Sequence, residues 1–147
     1  MITPRLEFHG LVAALVPFTR FMLQSHGTFV PLGAMVRSGE LAIVSPENDN
    51  PNMTGHEWLE LLTSTLRTHA ADPECAAVAY CVDVKLTDAR DGTVFDAVQV
   101  VFEHRSGEAL HAFFPYRKNG GGYEFAQPML QLAGGSFFEP AASAYLH

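Results

Sequence analysis

Trp58, Leu61, Leu62, Thr65, Leu66 and His69 recur at i, i+3 and i+4, tracing one face of a helix, while Glu57, Glu60, Ser64 and Arg67 take the other. Thr54 and Glu57 have capping-box spacing at its start, and Asp72-Pro73 marks its end. A second stripe runs through Leu11, Ala14, Leu15, Phe18, Phe21, Met22 and Ser25. It predicts a helix over residues 11–26, stopped by Gly27 and either kinked at Pro17 or begun there.

Elsewhere the period is two. Residues 29–36 and 40–44 read as a hairpin around Arg37-Ser38-Gly39, followed by an irregular loop over 45–53. Residues 75–86 alternate, with Val78, Tyr80, Val82, Val84 and Leu86 on one face. Asp91-Gly92 and Arg105-Ser106-Gly107 then turn the chain through strands at 94–104 and 108–116. A short run follows at 123–125, and 128–133 has the composition of one helical turn stopped by Gly134. The predicted order is α-β-β-α-β-β-β over a single α+β domain spanning residues 1–147. Local hairpins imply an antiparallel five-stranded sheet with both helices on one face, an arrangement that resembles profilin or roadblock proteins.

Register decides which polar side chains meet. A three-residue Arg90-Asp91-Gly92 loop pairs even with even, setting Val84 against Val98 and Val82 against Val100, whereas a two-residue turn would set Val84 against Gln99 and mix the faces. The first buries more apolar surface and is the expected register. A bulged Arg105-Ser106-Gly107 turn adds Leu110, Ala112, Phe114 and Tyr116 to the same buried face. Asp83, Lys85, Gln99, Glu103 and His111 are then expected together on the open face, with Ala79, Cys81, Val101 and Phe113. Asp83, Gln99, Glu103 and His111 form the candidate surface site, and Val101 and Phe113 the candidate interface. A solvated face ordinarily reads polar throughout, so this mixture fits a covered surface. The cover is either a second copy or the chain's own C-terminal segment with Phe137 and Phe138.

Composition narrows the function. Nine Lys and Arg against sixteen Asp and Glu, a net charge of −7, provide no basic stripe for a phosphate backbone, so no nucleic-acid partner is expected. The same charge suits a basic protein partner. Cys75 and Cys81 lack zinc-site spacing and a His pair, and His104 with His111 would leave a zinc ion short of a third ligand. Neither metal nor cofactor is expected. Nucleotide-binding and hydrolase fingerprints are absent. The apolar run at 11–16 is short, so neither a signal peptide nor a membrane span is expected and the cytoplasm is the expected location.

Three stretches together resemble a family of small bacterial proteins with no established activity. They are His26-Gly27-Thr28-Phe29-Val30-Pro31-Leu32-Gly33-Ala34, then Phe102-Glu103-His104-Arg105-Ser106-Gly107, then Phe113-Phe114-Pro115-Tyr116 with Tyr123-Glu124-Phe125. Leu32 and Thr28 stand where that family usually shows Phe and Glu. The resemblance implies the fold and a bacterial setting. The leading functional expectation is a non-enzymatic binding module that self-associates as a dimer. The alternatives are a small enzyme using Glu103 and His111 as an acid–base pair, and an acidic immunity or inhibitor-type protein.

Overall fold

A computed structural model describes residues 3–46 and 52–138. Its elements are α1 (Leu6–His26), β1 (Leu32–Arg37), β2 (Glu40–Val44), α2 (Gly55–Ala70), β3 (Cys75–Thr87), β4 (Val94–His104), β5 (Ala109–Asn119), β6 (Gly122–Phe125) and β7 (Met129–Leu132). They build an α+β fold with one seven-stranded antiparallel sheet, in the order β2-β1-β3-β4-β5-β6 with β7 also on β5. The sheet thus exceeds the five strands expected. Residues 129–132 are not helical: Met129 to Leu132 pair with Phe113 to Leu110, satisfying backbone groups along β5 that β6 leaves free. Most of the loop expected over 45–53 lies outside the described residues.

The two helices lie on opposite faces, which corrects the one-sided arrangement. Ala77, Ala79 and Cys81 of β3 pack with Phe8, Leu11, Leu15 and Leu23 of α1, alongside Val98, Val100, Phe102, Leu110 and Ala112. Val78 packs instead with Leu62, Leu66 and Ala70 of α2, with Val44 and Phe138. Consecutive strand residues point to opposite faces, so the two clusters are separated by the sheet. The physical reason is that the central strand β3 is apolar at odd and even positions alike, and two apolar faces need two covers.

Register differs from expectation at one turn. β3 pairs with β4 as Val84↔Ala97 and Cys81↔Val100, so even residues of one strand face odd residues of the next. The connection is longer than three residues, because the ladder closes at Thr87↔Val94 and Asp88 N–H donates to Thr93 O (2.7 Å). Inside it the Asp88 carboxylate accepts from Arg90 N–H, and Gly92 adopts a φ of 74°. The bulged turn at 105–107 does pair even with even, aligning Val100 with Ala112 and Phe102 with Leu110.

α1 begins five residues earlier than its stripe suggests and continues through Pro17. Its 21 residues include an 18-residue window of mean hydropathy 1.3, so by length and composition alone it is long and apolar enough to cross a membrane, longer than the apolar run at 11–16 suggests. Here it lies on the sheet, with Phe8, Leu11, Leu15, Thr19 and Leu23 buried.

Candidate functional site

The Glu103-His104-Arg105 stretch ends β4 where three segments converge. Glu103 is only 4% exposed. Its carboxylate accepts backbone N–H groups from Ser136 (2.8 Å), Phe137 (2.9 and 3.0 Å) and Phe138 (3.0 Å). Successive N–H groups converging on one anion form a nest, and these carry the partial positive charge that makes a buried carboxylate tolerable. Gly135 is required beside it, since a Cβ there would come within 2.7 Å of the Glu103 carboxyl carbon.

Arg105 secures a different segment. Its guanidinium donates to the carbonyls of Ala70 (2.6 Å), Asp72 (2.7 Å) and Cys75 (2.7 Å), satisfying the end of α2 and the turn after it. The same group lies 4.7 Å from the centre of the Phe138 ring. His104 points to the other face, where its Nε2 lies 3.4 Å from Glu7 of α1 and its Nδ1 accepts from Ser106 N–H. Three consecutive polar residues therefore hold the C-terminal segment, the end of α2 and the start of α1.

The expected surface site is divided by the sheet. Glu103, Gln99 and His111 share one face with Val101 and Phe113, but Asp83 stands on the α1 face, opposite Val98. There it accepts a hydrogen bond from Tyr116 Oη at 2.7 Å. Burial raises the Tyr116 phenol, and the neighbouring Asp83 carboxylate raises it further. The Asp83 carboxyl is itself raised by desolvation, against the opposing effect of the Tyr116 hydrogen bond. His111 contacts Gln99 (Nε2 to Nδ1, 3.3 Å) and sits edge-on to Phe113, while the lone pairs of Glu103 are taken by the backbone. The pair proposed for acid–base chemistry is not assembled. Ala79 and Cys81, expected on the open face, are buried under α1 because of the shifted register.

What the open face does carry is apolar. α2 contacts β1, β2 and β3 only. Phe137 and Phe138 extend that cover over Val78 and Tyr80. Beyond them Val82, Val84, Phe95, Val101 and Phe113 are half-buried, and Met129 is 46% exposed. Gln99 and His111 are the polar side chains among them. A cleft of about 570 Å³ opens at the far end between Phe95, Phe113 and Met129, with Asp88 and Arg90 at its rim. Among the described residues, no group of three or more His, Cys, Asp or Glu side chains is placed to hold a metal ion.

The sequence motifs are accounted for by packing. Gly27 ends α1 at a φ of 73°, Phe29 and Leu32 enter the α1 core, and Pro31 O accepts from Trp58 Nε1 (2.8 Å). Phe114 turns toward α1 while Phe113 stays on the open face. Phe137 and Phe138, one of the two covers expected for this face, do lie on part of it, over Val78 and Tyr80. The signal that sequence reasoning missed was Gly134-Gly135 ahead of them, which fits a segment pressed against a side chain. Compared with known proteins, the chain matches no family model, no curated protein and no solved structure.

Proposed function

We propose that this chain is a non-enzymatic docking module that pairs with a second copy of itself through the uncovered half of its sheet. The observation that carries this reading is the largely apolar surface of Val82, Val84, Val101, Phe95 and Phe113 around the Gln99–His111 pair, on the face away from α1. An antiparallel sheet with one solvated side ordinarily presents polar residues there. Along β4 and β5 no charged side chain stands on this face between Glu103 and Arg117, so two copies meeting face to face bring no like charges together. Two such sheets pack about 10 Å apart with their side chains interdigitated. The polar Gln99–His111 pair gives the contact a fixed point, and Phe95 and Phe113 provide its rings.

Phe113→Glu tests the reading. It places a charge in the middle of the face without touching either buried cluster, so the variant is expected to melt like wild type but to halve in mass by light scattering. Wild type that scatters as a monomer at tens of micromolar would refute the dimer. A Phe113→Glu chain of unchanged mass but lowered stability would mean that the face is covered from within the same chain.

A further inference from the structure

We infer that Glu103 forms the floor of a peptide-recognition site, one that the free chain fills with its own Gly135–Phe138 segment. Its ligand class is a bent stretch of another protein, in which successive backbone N–H groups turn to one side and two adjacent aromatic residues follow small ones. The inference does not depend on self-association.

The geometry is that of a receptor and its ligand. Glu103 is buried, and its hydrogen-bond partners are the three backbone N–H groups of residues 136–138. Holding a segment against a sheet does not require a charge, because apolar contact or a ladder does so without desolvating a carboxylate. What the carboxylate adds is selectivity. Only a backbone that presents several free N–H groups in succession, with no proline among them, satisfies it. The side-chain contacts are equally specific. The Phe137 ring lies edge-on to Tyr80 at 6.1 Å, with the Arg67 guanidinium 5.6 Å from its centre, and Phe138 is 7% exposed beside Arg105. Gly135 allows the backbone to approach where any Cβ would collide with the carboxylate. A cleft of about 370 Å³ bounded by Arg67, Ala70, Arg105 and Phe137 leaves this end of the site open to solvent.

None of these contacts requires the segment to belong to the same chain. It leaves β7 through Ala133 and two glycines, and in the described residues it adds no strand to the sheet. Its backbone N–H groups at 136–138 are held by one side chain and not by a strand, so the segment can leave without breaking the sheet ladder. The covalent tether raises the local concentration of the chain's own segment, so a free peptide competes poorly until that segment is displaced.

The test uses full-length Gly135→Val, whose side chain cannot fit against Glu103. Hydrogen exchange is read at the Ser136, Phe137 and Phe138 amides, and binding is read by polarisation of a labelled Gly-Gly-Ser-Phe-Phe peptide. In wild type these amides are expected to be protected and the peptide to bind weakly. In Gly135→Val they exchange freely while β3, β4 and β5 stay protected, and the peptide binds roughly tenfold tighter or more. Adding Glu103→Gln in the same chain abolishes that gain, because one acceptor oxygen is replaced by a donor. A freed segment over an intact sheet with no gain in peptide binding would overturn the inference, as would equal binding by wild type and variant. If Gly135→Val disturbs the sheet, Ser136→Pro releases the segment by removing one N–H and must produce the same gain.

Discussion

Gly33 stands at the closest approach of β1 to α2. A Cβ there would lie 3.0 Å from Leu62 Cδ1, 3.3 Å from Leu66 Cδ2 and 3.3 Å from the Val44 carbonyl. Both leucines are fully buried, so they have little room to give, and Gly33→Ala is expected to cost about 1–3 kcal/mol in urea unfolding. The cysteines are residues of the interior as well. Burial pushes the Cys81 thiol up to about 12 and raises Cys75 also. Thiolate is the reactive form, so neither should react with Ellman's reagent at neutral pH until the chain is unfolded. Rapid modification of the native protein would place a cysteine outside the two buried clusters. At Arg105, Nε and Nη2 of one planar fork donate to three carbonyls, a geometry that a Lys ammonium does not reproduce.

Among the elements, α2 has the most self-consistent ends and face. Thr54 Oγ1 accepts from Glu57 N–H and Glu57 accepts from Thr54 N–H, both at 3.1 Å, so the capping box expected from the spacing is formed. Its inner face buries Leu62 and Leu66, with Trp58 half-buried and bonded to Pro31 O. Leu62→Ala leaves a cavity between helix and sheet and is expected to cost about 2–5 kcal/mol in a urea melt. A loss under about 1 kcal/mol would mean that this face collapses around the gap. α1 shows how packing overrides a local breaker. Pro17 removes one backbone donor, yet the helix continues, since Leu11, Leu15 and Leu23 on both sides of it are buried against one sheet face.

For the whole molecule, the carboxylates set the response to acid. Glu57 is held below its ordinary 4.5, first by the Thr54 backbone N–H and then by the Thr54 hydroxyl. Asp72 is lowered mainly by the Glu74 N–H and by Arg37, and Asp88, Asp91 and Glu124 are lowered by their own hydrogen-bond partners. A carboxyl lowered on folding stabilises the native state above its unfolded value, and that stability is lost as pH falls through the folded value. Asp83 is raised and acts in the opposite sense, so it partly offsets the others as pH falls. The lowered groups outnumber it. Urea midpoints are therefore expected to hold steady above pH 5 and to fall as the pH drops below about 4.5. Asp72→Asn should shrink that fall, and a midpoint that rises on acidification would mean that Asp83 dominates.

Helix α2, the β1–β2 hairpin, the three long strands and the bulged turn at 105–107 were all legible in the chain, because period, capping and turn chemistry are local. The antiparallel α+β class followed from short connections, again a local property. The apolar character of the face holding Val101 and Phe113 was legible for the same reason, since alternation and that turn place both residues together. The placement of the helices was not local. β3 carries apolar residues on both sides, and alternation alone does not say which face each helix takes. Nor did spacing settle the Asp88–Thr93 turn, where a one-residue shift in register reversed every β3 side chain relative to β4 and sent Asp83 away from Gln99, Glu103 and His111. The role of Glu103 needed still longer reach. Its partners lie more than thirty positions along the chain, and only the folded sheet brings their N–H groups onto one buried carboxylate.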